Sequence, residues 1–312
     1  MKILFMGTPD FAQVSLKRLL DSEWEICGVV TQPDKPKGRG HKLQPPPVKE
    51  LAILHNIPIF QPETLKDNAF EEQLRVLNPN MIVVVAYGKI LPKYILDYPK
   101  LSCINVHASL LPKYRGAAPI HWSIINGEIQ TGITTMYMAE GLDTGDMILK
   151  SEVEIGENTT VGELHDELAT LGADVLVETI ERILDGSAPR EAQNETLSTY
   201  ASMIDRNTGK IDWTKSARKI VNLIRGTNPF PGAFTWYNGE KLKIWQARLG
   251  KSLNNCAAGE IIYISDGKLE VAAGDGNSVL IEKIQIQGGK SMSVASFLNG
   301  NKPEVGVVLG NG

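Results

Sequence analysis

The sequence predicts two architectures in succession: a doubly wound, mostly parallel α/β sheet of Rossmann-like type, then a smaller OB-like β-barrel. Three observations carry this. Over residues 1–184 short apolar runs alternate with helical stretches, the pattern of a parallel sheet wrapped by helices. From 228 to 287 several short strand-like runs follow one another with no helix between them, a spacing suited to a small barrel. Between these regions, Ser187 to Arg206 is polar and poor in aliphatic residues. The expected organisation is therefore a catalytic domain over 1–189, a linker over 190–206 and a barrel domain over 207–312.

Lys2 to Met6 is a short apolar strand, Gly7-Thr8-Pro9-Asp10 a turn and Phe11 to Leu20 a helix. This opening lacks the G-x-G-x-x-G dinucleotide fingerprint, so neither NAD nor FAD is expected. Glu25 to Thr31 is the second strand. Gln32 to Lys49 then breaks the pattern with five prolines and with Lys35, Lys37, Arg39, Lys42 and Lys49 against the single acid Asp34. It reads as a long, mobile, basic loop without a helix, able to follow a phosphate backbone. A helix is expected near Val48 to His55, then strand, helix and strand at Ile57 to Phe60, Ala69 to Leu77 and Met81 to Tyr87. The unbroken apolarity of M-I-V-V-V-A-Y marks a buried parallel strand. The loop behind it, with Ile90 and Leu91, is expected at the same sheet edge as His107, lining the same pocket.

Cys103 to His107 is the next strand, followed by a helix near Ala118 to Asn126 and a strand over Ile133 to Met138. Met147 to Ile155 is expected as an antiparallel strand. Thr160 to Leu184 is an amphipathic helix, with Thr160 and Glu163 forming a capping box and Gly186 ending it. His165, among acids, reads as a solvated surface residue. Past the linker, Thr214 to Thr227 is a short helix with Ala217, Ile220, Val221 and Ile224 inward, and the barrel strands follow. The tail, Asn299 to Gly312, offers little that would pack.

Composition is that of a soluble globular chain of 312 residues, 42% hydrophobic and 22% charged. No apolar run reaches the ~18 residues of a membrane span, and no membrane partner is expected. Cys27, Cys103 and Cys256 are too few and too far apart for a disulfide framework or a zinc site, which suits a reducing cytoplasm. No metal is expected. The net charge of −4 conceals an asymmetry: residues 1–205 hold 18 Lys and Arg against 28 acids, whereas 206–312 hold 14 against 8. An acidic body with a basic tail suits a polyanionic partner.

The seventeen residues C-I-N-V-H-A-S-L-L-P-K-Y-R-G-A-A-P, Cys103 to Pro119, gather the chemistry. Period-2 geometry sends Asn105 and His107 to one face at a strand's carboxyl end, where open parallel sheets place ligands. About 25 residues on, T-G-I-T-T-M-Y-M-A-E-G-L-D-T-G carries Asp143 in a glycine-bounded loop. An amide N–H to steady an oxyanion, an imidazole and a carboxylate suffice for acyl transfer to an amine.

S-L-L-P-K-Y-R-G-A-A-P followed by G-I-T-T-M-Y-M-A-E-G-L-D-T-G resembles the folate-dependent formyltransferases. The basic loop, N-P-F-P-G-A-F at Asn228 to Phe234 and the barrel pattern extend the resemblance to the branch that acts on initiator methionyl-tRNA. The resemblance implies formyl transfer from 10-formyltetrahydrofolate to the α-amino group of that tRNA. It places Asn105, His107 and Asp143 as catalytic residues and Ser109, Leu110, Leu111 and Pro112 against the folate. Lys35, Lys37, Arg39 and Lys42 are expected on the tRNA, and the protein is expected as a monomer. A formyltransferase for a small amine, such as an amino-sugar nucleotide or glycinamide ribonucleotide, shares the catalytic blocks but needs no basic loop. A non-catalytic tRNA-binding module would not need Asn105, His107 and Asp143 intact.

Overall fold

The computed structural model describes residues 1–37, 42–252, 256–265 and 267–310. The chain runs β1 (Lys2–Gly7), α1 (Asp10–Leu20), β2 (Glu25–Val30), β3 (Lys35–Lys37), β4 (Lys42–Gln44), α2 (Pro47–Leu54) and β5 (Ile59–Phe60). It continues through α3 (Glu71–Leu77), β6 (Met81–Val85), α4 (Lys93–Leu96), β7 (Cys103–His107), β8 (Arg115–Gly116) and α5 (Pro119–Ile125). Next come β9 (Gln130–Tyr137), β10 (Met147–Glu154), α6 (Val161–Asp185), a 3₁₀ turn at Glu195–Leu197 and β11 (Tyr200–Ala201). The last part holds α7 (Ala217–Gly226), β12 (Ala233–Tyr237), β13 (Glu240–Ser252), β14 (Ile261–Ser265), β15 (Lys268–Ala272), β16 (Asn277–Ile286), β17 (Met292–Ser293) and α8 (Val294–Gly300). Two compact units emerge: one from 1–119, 131–153 and 165–201, the other from 120–130, 154–164 and 202 onward.

A seven-stranded sheet, ordered β10-β9-β7-β6-β1-β2-β5, organises the first unit. β1, β2, β5, β6 and β7 are mutually parallel, and all five residues of β6 are buried. Its Val–Ile–Met composition suits a strand covered on both faces. Reversal comes one strand earlier than expected, because β9 already pairs antiparallel with β7, His107 opposite Thr134 and Ile104 opposite Tyr137. The loop after β7 stays at that strand's carboxyl end, tied there by Leu111 N–H donating to Thr134 Oγ1. β9 therefore enters from the carboxyl edge. Tyr87, Leu91, Ile95 and Cys103 belong to one buried cluster of this unit.

The described residues of the basic segment hold more regular structure than a proline count suggests. β3 and β4 form an antiparallel hairpin, with Lys35 opposite Gln44 and Lys37 opposite Lys42. A free two-stranded ribbon tolerates Pro36, which lacks an N–H. α2 begins at Pro47 within the segment, because the first helical turn needs no N–H there. The Lys49 ammonium lies 2.8 Å from both oxygens of Asp34, so these two charges offset each other.

The expected linker is also structured. Residues 190–201 belong to the first unit: β11 pairs in parallel with β8, and Asn194 caps the 3₁₀ turn. Hydrogen bonds rather than apolar burial hold this segment, which is why no hydrophobic pattern announces it.

In the second unit an antiparallel sheet runs β12-β13-β16-β15-β14, with β17 added beside β16. These are the five strands expected of the OB-like domain. Ala217, Ile220, Val221 and Ile224 of α7 bury into its core. The tail corrects the sequence reading: Leu309 is buried in that core, and its N–H donates to Gly259 O at 2.8 Å. The run V-G-V-V-L, Val305 to Leu309, is too short to show a period, and Val307 packs on the same core. The capping box is present, Thr160 N–H donating to Glu163 Oε2 and Glu163 N–H to Thr160 Oγ1.

His165 is likewise half-buried rather than solvated. Its Nε2 sits 3.4 Å from Asp10 Oδ1 and its Nδ1 3.0 Å from Asp166 Oδ1, and its ring meets Phe11 edge-on. Asp10 holds the imidazole pKa above its ordinary 6.5, and His165 holds the Asp10 carboxyl below 3.8. A raised imidazole pKa stabilises the fold below the unfolded value and ceases to as pH rises through the folded one; the depressed carboxyl does the converse at the acid end. We therefore expect His165→Gln to lower Tm at about pH 5–6 and to have little effect above about pH 8. Melting curves of both proteins across that range check it, and a pH-independent difference would remove the ion pair from the account.

Candidate functional site

Strand β7 carries Asn105 and His107 on one face, and both are buried, at 8% and 6% exposure. The side-chain amide of Asn105 makes no hydrogen bond among the described residues. An amide with unused donors at the edge of the interior suits a bound polar group. His107 is held at both ring nitrogens. Nε2 lies 2.9 Å from Tyr114 O, and a carbonyl can only accept, so this nitrogen carries a proton. Nδ1 lies 3.6 Å from Asp143 Oδ2, too far for a hydrogen bond but close enough for a charge contact.

Asp143 reaches His107 from a constrained loop. Its backbone is left-handed at φ 53°, a conformation that Asp tolerates better than most residues. The same Oδ2 accepts from Gly116 N–H at 2.8 Å, while the Asp143 carbonyl accepts from Gln193 Nε2 at 2.7 Å. Gly145 lies against Tyr137 O so closely that no Cβ fits there. Gly116 has φ 113°, and a Cβ on it would stand 2.7 Å from Ala201 O. Both loops flanking the carboxylate therefore depend on glycine.

The Ser109 to Pro112 loop is fixed by Thr134, whose hydroxyl donates to Ser109 O at 2.7 Å and accepts from Leu111 N–H at 3.1 Å. Ser109 Oγ donates to Lys113 O, and Leu111 packs with Met136 and Met147. Those two side chains are committed to the interior, whereas Leu110 and Pro112 are half-exposed. In the neighbouring loop Ile90 is 76% exposed and Leu91 only 3%. Asn105, His107 and Asp143 are thus gathered, with the Ser109 loop directly following on the same strand. Lys35 lies apart on the hairpin, exposed and without an ion-pair partner among the described residues. Arg39 and the side chains of Lys37 and Lys42 lie outside the described residues. Among the described residues no cluster of His, Cys, Asp and Glu is arranged to hold a metal, and no helix is long and apolar enough to cross a membrane.

Sequence reasoning missed Thr134, Gln193 and Glu195. Gln193 and Glu195 both grip Arg115, at 2.7–3.0 Å. Only the hydroxyls of the T-T pair inside a buried strand hinted at Thr134.

The parallel sheet ends in a strand that carries Asn105 and His107 and faces Asp143. A family model described as formyl transferase matches residues 1–180, and one for the formyl transferase C-terminal domain matches 203–302. The chain is similar to an N-formyltransferase from Helicobacter canadensis solved with folinic acid and dTDP-3-aminofucose (TM-score 0.69, 21% identity, 90% of this chain and 98% of that one), a likeness of fold. It is 55% identical over 310 residues to a methionyl-tRNA formyltransferase of Clostridioides difficile, covering 99% of this chain and 100% of the relative. It is 56% identical to one of Alkaliphilus oremlandii with the same coverage. The chain belongs to the methionyl-tRNA formyltransferase family.

Thr134→Val keeps shape and volume but strips both partners from the Ser109 loop. We expect a stability loss of about 1–3 kcal/mol from the buried groups left unpaired, read as a lower urea midpoint with an unchanged m-value. An unchanged midpoint would show that the loop does not depend on Thr134.

Proposed function

We propose that this protein transfers the formyl group of 10-formyltetrahydrofolate to the α-amino group of initiator methionyl-tRNA, in the cytoplasm. The observation that carries this reading is full-length identity above 50% to methionyl-tRNA formyltransferases, combined with an uninterrupted Asn105–His107–Asp143 constellation. The unused amide of Asn105, beside the half-exposed Leu110 and Pro112, suits a folate at this strand end.

When bound, the folate supplies a one-carbon unit at the acyl level of oxidation. Asn105 donates its amide N–H to the carbonyl oxygen on which charge develops. His107 donates from Nε2 to Tyr114 O, which fixes the ring with Nδ1 facing Asp143 beside the reacting carbonyl. The attacking amine must be neutral to use its lone pair, and Asp143 takes the proton it sheds, directly or through water. Burial of Asn105 and His107 and the partial burial of Asp143 strengthen each of these interactions. Lys35, Lys37, Arg39 and Lys42 contact the tRNA backbone, and the net +6 of residues 206–312 adds to its attraction.

We expect Asn105→Ala or His107→Ala to lower kcat by about 10²–10³-fold, the cost of losing one such stabilising group, with tetrahydrofolate binding little changed. Asp143→Asn should lose activity with its melting temperature preserved. Near-normal turnover in any of the three would refute that residue's role.

A second expectation concerns the acceptor. Arg39→Ala should weaken kcat/KM for methionyl-tRNA and leave folate affinity intact, while Lys35→Ala lowers the salt slope of tRNA use by about one unit at most. Measurements at two salt concentrations decide. Normal use of tRNA by Arg39→Ala at both would make the hairpin a bystander.

A further inference from the structure

We propose that Gln193 is a positioning residue for the formyl-transfer reaction, acting through Asp143. The proposal rests on the reading of Asp143 as a catalytic group. A primary amide has two N–H donors and an oxygen with two lone pairs, and Gln193 uses all four. Nε2 donates to Asp143 O at 2.7 Å and to Gly145 O at 2.8 Å. Oε1 accepts from Arg115 Nε at 3.0 Å and from Arg115 Nη2 at 2.8 Å. The amide can face only one way, since guanidinium donors require the oxygen and backbone carbonyls require the NH₂.

The consequence is a bridge between the two loops that frame His107. On one side is the 143–145 loop, whose left-handed Asp143 leans on that hydrogen bond. On the other is the 114–116 loop, which supplies Tyr114 O to His107 Nε2 and Gly116 N–H to the Asp143 carboxylate. Arg115 lies between those two contacts and is braced further by both oxygens of Glu195. Removing the amide frees the backbone of the carboxylate while leaving the carboxylate itself in place. Gln193 touches no reacting atom. It lies between the two family-model matches, which end at 180 and resume at 203.

A merely structural Gln193 would lower stability without selectively affecting the work of Asp143, so the experiment is a double-mutant cycle on the full chain. Single-turnover formylation rates and melting temperatures are measured for wild type, Gln193→Met, Gln193→Glu, Asp143→Asn and the Gln193→Met/Asp143→Asn double variant. We expect Gln193→Met to slow turnover about 10–100-fold, the scale of a small misplacement, with KM for both substrates within about 3-fold. Gln193→Glu keeps the acceptor for Arg115 but loses both donors, so it should be at least as slow. In the Asp143→Asn background Gln193→Met should cost less than about 3-fold more, because the group it places is already gone. Four results would each overturn the proposal: Gln193→Met at wild-type rate, Gln193→Glu at wild-type rate, a loss carried wholly by KM, or a full multiplicative loss in the double variant. Should Asp143→Asn itself keep the wild-type rate, the catalytic reading of Asp143 fails, and the proposal falls with it. A slow Asp143→Asn beside a normal Gln193→Met would sink the proposal alone.

Discussion

The carboxylate of Asp143 has to meet an imidazole and a backbone N–H at once, from a loop with almost no freedom to adjust. Its backbone sits in the left-handed region, and two residues on Gly145 presses against a carbonyl with no room for a side chain. Such a conformation persists only when its surroundings over-determine it. Here they do so through hydrogen bonds: Gly116 N–H holds the carboxylate, and one glutamine amide holds the carbonyls of Asp143 and Gly145. The sheet supplies the other half. β7 is flanked by β6 up to Val106 and by β9 through His107, which pairs with Thr134, so the strand end that carries the imidazole is held in register opposite the loop that faces it.

Charge is distributed differently from chemistry. Asn105 and His107 are buried and Asp143 is half-buried, where a charge is less screened, whereas the lysines expected to meet a polyanion stand on a hairpin just after Asp34, which is already paired with Lys49. In the second unit several lysines lie over aromatic rings, Lys210 over Trp236, Lys241 over Phe234 and Lys243 over Trp245. A ring covered by an ammonium offers less face to a base. That arrangement favours contact with phosphates over stacking, and such contact follows the backbone of a nucleic acid rather than its sequence.

The strands of the first sheet were legible in the sequence because burial on both faces requires unbroken apolar runs, as in M-I-V-V-V. Asn105 and His107 were legible because a strand's period of two leaves little choice about their face. Asp143 stood out only as an acid in a glycine-bounded loop, and its role came from the resemblance, because that loop has no period. Leu91 shows the limit of reasoning from a loop's position, since its side chain fills the core while Ile90 beside it stays exposed. The hairpin within the proline-rich segment was hidden because a two-stranded ribbon needs no buried face, and so no alternation. Leu309 was hidden because V-G-V-V-L is too short an apolar run to fix a period.

Residues 190–201 show the same limit at the site itself. Hydrophobic patterning draws the domain edge where aliphatic residues thin out, near 189. Accounting for hydrogen bonds draws it at 201, because Gln193, Glu195, Thr199 and the Tyr200–Ala201 strand all bond to the loop from Tyr114 to Ala118. Apolar contacts are non-directional, so a core forms from any residues of roughly the right size and leaves a statistical trace. A polar bridge works only when each donor meets its acceptor, and no composition or period reports that pairing. Asn105 and His107 sit on regular structure and could be read from it. The groups that hold the loops around them in register sit in the segment that looks most like a linker.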